Sequence, residues 1–252
     1  MVCLTITAPR ARAFLGVVIA MTQSLSVVIP CYNEERIIER SYARVKQVLE
    51  RECPDYEIII ANDGSTDASL QILERISASD TRLIFIDYRP NRGMGYACRQ
   101  MYRKACKDAV IQMDADLAMD PADTVPSFLS ELSAADCVVG SRYLGVTAEY
   151  PLRRRIASRG YYVMNRILFN IPLKDTQSGF FGIRRAVLQG LELNSDGFEI
   201  HVEMFVKLMR AGNSLKEIPL RFVHQTESGE VSVLRAAPRM IAGTFRIWRK
   251  LR

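Results

Sequence analysis

Two histidines and a single tryptophan are all that this chain of 252 residues holds of those types, and it contains no long apolar run. No stretch reaches the ~20 consecutive apolar residues of a membrane-spanning helix, so the chain is not expected to cross a bilayer. The six cysteines, Cys3, Cys31, Cys53, Cys98, Cys106 and Cys137, are scattered, with no CxxC pair and no zinc spacing. This argues against a structural metal and reads as reduced thiols in a cytosolic protein. Internal repeats and low-complexity stretches are also missing. The net charge of +6 suits nucleic acid, an anionic membrane surface or a phosphorylated ligand. Nucleic acid is set aside because aromatic platforms and a reading helix are lacking.

What remains is an ordinary globular composition, 48% hydrophobic and 25% charged, sized for one α/β domain. Residues 1–23, with Arg10, Arg12 and an apolar run at 13–21, imitate a signal peptide without its cleavage site. They read as a poorly ordered extension, with Met21 as an alternative start; the other reading is an extra strand or a membrane-touching segment. The domain proper is expected over residues 24–235, followed by a basic amphipathic helix over 236–252.

Strand and helix patterns then alternate. Strands are expected at 25–30, 56–61, 83–87, 109–113 and 136–140, with helices at 34–52, from the 62–67 turn to 77, from the 91–95 turn to 107, and at 123–133. Alternation at this spacing predicts βαβ units, a Rossmann-like, mainly parallel sheet flanked by helices, and ligand binding beyond the carboxyl ends of the strands. Further on, Arg153, Arg154 and Arg155 read as a basic loop before an amphipathic helix. A short strand at 180–183, a helix at 198–211, a strand at 216–223 and a polar segment at 225–230 follow. Pro238 is expected to start the last helix.

At the centre of this pattern lies Val110-Ile-Gln-Met-Asp-Ala-Asp116. A buried strand there delivers Asp114 and Asp116 to a cleft, where two carboxylates suit a hard cation that leaves its other positions to water and phosphate oxygens. The same residues also read as a solvated turn that caps the next segment.

Six short motifs occur in order: Val27-Val-Ile-Pro-Cys-Tyr-Asn-Glu34, Asn62-Asp-Gly-Ser-Thr-Asp67, Asn91-Arg-Gly-Met-Gly-Tyr-Ala97, Met113-Asp-Ala-Asp116, Gly140-Ser-Arg142 and Asp175-Thr-Gln-Ser-Gly-Phe180. Together they resemble the inverting family 2 glycosyltransferases of the GT-A fold, and within them the polyprenyl-phosphate hexosyltransferases typified by the dolichol-phosphate mannose synthases. The resemblance covers about residues 24–235. It implies an enzyme that moves a hexose from a GDP- or UDP-sugar to a polyprenyl phosphate, peripherally at the cytosolic membrane face. By the same resemblance Pro30, Tyr32 and Glu34 line the nucleoside pocket and Asp63 meets the base. Asp114 and Asp116, with Ala115 between them, hold the diphosphate through Mg²⁺ or Mn²⁺, and Arg142 and Arg154 meet phosphate groups. Read alone, Glu34 equally starts a helix, Asp63 equally makes an Asx turn, and the arginine cluster equally forms a solvated face.

Glu203, and after it Glu199 and His201, are the candidate bases, chosen by type and position on an expected helix. An acceptor phosphate needs no base because it is already an anion, whereas a glycan or lipid hydroxyl acceptor does. Two departures from the synthase pattern bear on this choice. Ala118 stands where the synthases carry a glutamine, and Gln225-Thr-Glu-Ser-Gly-Glu-Val-Ser232 lacks the basic residues of the corresponding segment, with His224 and Arg235 as replacements. The hydroxyl acceptor is therefore kept as an alternative, and a non-catalytic nucleotide-sugar-binding protein as a second one.

Overall fold

Seven strands form one sheet in the order β3-β2-β1-β4-β6-β5-β7. The computed structural model describes residues 24–144, 152–221 and 233–252, with side chains described except at 152–157 and 233–236. In chain order the elements are β1 (Leu25–Cys31), α1 (Ile38–Glu52), β2 (Tyr56–Asp63), α2 (Ser69–Ser79), β3 (Leu83–Tyr88), α3 (Met94–Lys104), β4 (Ala109–Gln112), α4 (Pro121–Glu131), β5 (Cys137–Ser141), α5 (Leu152–Phe169), β6 (Phe181–Arg184), α6 (Arg185–Gln189), α7 (Ile200–Arg210), β7 (Leu215–Pro219) and α8 (Val233–Lys250).

β1 is parallel to both β2 and β4, and β2 to β3. β6 runs antiparallel between β4 and β5, while β7 is parallel to β5. The sheet is thus mainly parallel, as expected. Strand order reverses beside β1, and such a reversal opens a crevice between the carboxyl ends of β1 and β4.

Burial on both faces explains the near-continuous apolar strands. Leu25, Val27 and Ile29 of β1 join α1, α2 and α4 in one core, whereas Val28 joins α3, α5, α7 and α8 in the other. β2 divides in the same way, with Ile58 and Ile60 in the first core and Ile59 and Ala61 in the second. One strand period therefore feeds two helical layers.

Several expectations are corrected. Residues 153–155 belong to the first turn of α5, not to a loop, because arginine is a good helix former and a charge run does not by itself break a helix. Pro238 lies inside α8, which begins at Val233. The missing N–H is tolerated in a helix whose inner face is docked: Met240, Thr244 and Ile247 are buried and the Thr244 hydroxyl meets Tyr161 of α5 at 2.6 Å. Met240 and Ile247 of α8 lie in the second core, with Trp248 and Leu251 packed against it. α6 is an additional short helix, and β7 ends at Pro219. Residues 1–23 and 225–230, together with His224, lie outside the described residues. Among those described, Cys31, Cys53, Cys98, Cys106 and Cys137 are free thiols, and no helix is long and apolar enough to cross a membrane.

Candidate active site

β4 ends at Gln112, and the chain turns at once. Leu117 adopts φ 47°, its amide donates to the Asp114 carbonyl at 3.0 Å, and the Ala118 amide donates to Asp116 Oδ1 at 3.0 Å. Asp116 therefore does form the local turn that the residues alone allowed, while remaining one residue away from a second carboxylate. Asp114 is pushed up to about 7, first by burial and then by the charges of Asp116 and Asp175, against the pull of Arg142. Two carboxylates that disfavour each other's ionisation make a site that gains from a cation. Gly179 closes over it, since a Cβ there would collide with the Asp114 carboxylate.

Arg142, at the end of β5, forks onto Asp175, with Nε to Oδ2 and Nη2 to Oδ1 both at 2.7 Å, and Asp175 is buried. At least two of the five guanidinium N–H groups thus serve the protein itself. The pair ties the end of β5 to the 175–180 loop, which also carries Gly179. Asp175 lay within a quoted motif but received no role there. The available signal was an acid at the head of one motif and an arginine at the end of another, Gly140-Ser-Arg142.

Beneath the pair, His201 is buried and its Nε2 lies 2.8 Å from Gln112 Nε2. The Gln112 carbonyl oxygen accepts from the Tyr102 hydroxyl at 2.5 Å, so its amide group donates to His201, which is neutral with its proton on Nδ1. Burial first, and then the Arg142 charge, lower its pKa to about 4, with Asp175 acting the other way. His201 is thus enclosed in the core and held by Gln112.

Glu203 is engaged by its own surroundings. Its buried carboxylate accepts from the amides of Asn194 at 3.1 Å and Ser195 at 2.8 Å and from Lys207 Nζ at 2.7 Å. Burial works against the charge, but Lys207 and the Ser195 and Asn194 donors outweigh it and lower the pKa. Glu203 organises the 192–196 segment. Glu199, with its pKa raised by burial, packs against Gly197 and Gly243 at the α7–α8 seam.

On the other side of the crevice the β1 and β2 loops hold each other. Asn33, at φ 56°, donates through its amide to Ser65 Oγ at 2.9 Å and accepts from the Thr66 amide at 2.8 Å. The Glu34 amide donates to Ser69 Oγ at 2.9 Å. Pro30 and Glu34 are half-buried, whereas Tyr32 is 43% exposed. Asp63 is buried and accepts from the Arg92 amide at 2.7 Å, the Gly93 amide at 2.9 Å and Asn91 Nδ2 at 3.0 Å. What its contacts show is a carboxylate that fixes the 91–93 loop. Nor do the glycines of that loop cradle an anion: Gly93 and Gly95 make room for the Asp196 and Ser195 carbonyls, which cover the start of α3. Arg154 lies in α5, with its side chain outside the described set.

Among the described residues no group of three His, Cys, Asp or Glu side chains could hold a metal. Two carboxylates alone suit a cation whose remaining positions are filled by water and a ligand's phosphate oxygens.

Fold and crevice together define a GT-A domain. Residues 26–191 match the family described as Glycosyl transferase family 2, and the chain belongs to that family. It is 31% identical over 205 residues to the dolichol-phosphate mannosyltransferase of Pyrococcus furiosus, covering 79% of this chain and 56% of that protein. To the dolichol-phosphate mannosyltransferase of Mycosarcoma maydis it is 31% identical over 211 residues, 80% of this chain and 71% of the relative. Glycosyltransferase AglD of Haloferax volcanii is 28% identical over 250 residues, 96% of this chain but 39% of that protein. The chain thus spans between about two-fifths and three-fifths of the first and third of these relatives. Among solved structures, glucosyl-3-phosphoglycerate synthase from Mycobacterium tuberculosis, in complex with Mn²⁺, UDP and glucosyl-3-phosphoglycerate, shares the fold with a TM-score of 0.67 at 20% identity, over 89% of this chain and 80% of that one.

Proposed function

We propose that the protein is a metal-dependent inverting glycosyltransferase that moves a hexose from a GDP- or UDP-sugar to a polyprenyl phosphate. The observation that carries this reading is the pair Asp114 and Asp116 at the end of β4, with Asp114 held near 7 by burial and by its neighbour's charge. The mannosyltransferases among the relatives support the lipid phosphate as acceptor. In the reaction, an acceptor phosphate oxygen bonds to the anomeric carbon from the face opposite the diphosphate, whose bond to that carbon breaks. Bound Mg²⁺ or Mn²⁺ supplies Lewis-acid stabilisation of the departing nucleoside diphosphate. Arg142, oriented by Asp175, and Arg154 present charge to phosphate groups, while Pro30, Tyr32 and Glu34 bound the nucleoside side. Positioning and charge suffice for an acceptor that is already an anion. The engagement of Glu203 in the 192–196 segment favours that acceptor over a hydroxyl, which would need a base.

Peripheral contact with the cytosolic membrane face is part of the proposal. α8 exposes Ile241 and Phe245 beside Arg239, Arg246 and Arg249, the mixture that favours an anionic interface.

The test is incubation with radiolabelled UDP- and GDP-sugars, Mn²⁺ and extracted lipids, followed by partition into organic solvent. Label in an acid-labile lipid is the expected result. An acid-stable or water-soluble product would move the acceptor to a hydroxyl, and donor binding without turnover would make the protein a binder only.

A further inference from the structure

We propose that Ser41 of α1 is a positioning residue for the metal-binding turn, an inference that rests on the metal reading of Asp114 and Asp116. A serine within a helix ordinarily turns its hydroxyl to the carbonyl one turn back. Here the Ile37 carbonyl takes only the Ser41 backbone amide, at 2.9 Å, while Ser41 Oγ donates across the layer to the Ala115 carbonyl at 2.6 Å. Ala115 is the residue between the two aspartates, and both Ser41 and Ala115 are buried.

One turn further along the same face of α1, Arg44 anchors the far end of the segment. Its Nη2 donates to both Asp120 oxygens at 2.9 Å, and Asp120 in turn caps α4 through the Ala122 amide at 3.0 Å. α1 therefore grips residues 114–120 twice, once at the peptide linking the aspartates and once where the segment enters α4. Between the two grips lies Leu117 at φ 47°, a conformation that a leucine holds only when its surroundings impose it. Ser41 fixes the Ala115–Asp116 peptide plane and so the direction in which Asp116 leaves the chain. Groups that orient ligands in this way commonly govern metal affinity by tenfold or more.

The experiment measures Mn²⁺ binding by electron paramagnetic resonance, without donor, for the full chain and for Ser41→Ala, Ser41→Thr and Asp116→Ala, together with amide hydrogen exchange at Leu117 and Ala118. Ser41→Ala is expected to weaken Mn²⁺ binding about tenfold and to speed exchange of those two amides, while Val110 and Ile111 of β4 keep their protection. Ser41→Thr restores the hydroxyl and should recover most of the affinity. Unchanged Mn²⁺ affinity in Ser41→Ala overturns the proposal, as does a loss that Thr fails to rescue while the melting temperature falls throughout. If Asp116→Ala binds Mn²⁺ as well as the unaltered chain, or the unaltered chain binds none even with UDP or GDP added to complete the coordination, the metal reading has failed. Positioning is then judged by exchange alone, with faster Leu117 and Ala118 amides in Ser41→Ala supporting it and unchanged ones overturning it.

Discussion

Among single side chains, the carboxylates sort by what already surrounds them. Asp116 has its partner acid nearby, so Asp116→Ala should abolish metal-dependent donor binding while leaving the melting temperature within a few degrees. Calorimetric titration of nucleotide sugar with and without Mn²⁺ reads this, and unchanged donor affinity would refute the assignment. Glu203 behaves in the opposite way. Glu203→Ala strips the Asn194 and Ser195 amides of their acceptor and should cost roughly 2 kcal/mol of stability. Glu203→Gln keeps one acceptor oxygen, and the pH–rate profile of transfer should keep its acid limb. Disappearance of that limb would return Glu203 to the role of base. The paired aspartates were legible in the sequence as two acids one residue apart at the end of an apolar strand. The contacts of Asp63 were not, because its amide donors Arg92 and Gly93 lie about 30 residues away; those of Glu203 were not because Asn194 and Ser195, though near in sequence, sit in an irregular segment that no pattern places.

For strands, helices and loops, period and punctuation were enough to place β1 to β5 and α1 to α4, since each buries a regular face. Legibility failed at α5, where three arginines masked a helix start, and at α8, where docking onto α5 and α7 carries a proline that would ordinarily mark a boundary. The loop at 175–180 shows a different limit. Its turn residues were visible, but its closeness to Asp114 comes from the antiparallel insertion of β6, which nothing local announces. Gly179→Ala tests that closeness. The added methyl must displace the Asp114 carboxylate or the loop, so Mn²⁺ affinity should fall at least tenfold with secondary structure retained by circular dichroism. Wild-type affinity would show that the loop yields freely.

For the molecule as a whole, His201 couples the core to pH. Its ordinary pKa of 6.5 drops to about 4 in the folded chain, so the unfolded state takes up the proton first. The histidine's own contribution is complete above pH 6.5 and is progressively lost as pH falls towards 4, by on the order of 3 kcal/mol, while Asp114, raised to about 7, acts with the opposite sign over the same range. His201→Gln should remove that contribution, so the melting-temperature difference between the variant and the unaltered chain should change between pH 7 and 4 in the variant's favour; a constant difference would exclude the histidine. The strand order has a consequence in time. β1, β2 and β3 pair with near neighbours in sequence, so the β1–β2 side of the crevice can form from the first 90 or so residues. β4 gains its second neighbour only when β6 arrives some 70 residues later, and contacts of such separation form late. A ribosome-bound nascent chain would therefore present ordered β1 and β2 loops while Asp114 still lacked Gly179 and the Arg142–Asp175 fork, so the acid pair acquires its electrostatic setting as a closing event of folding.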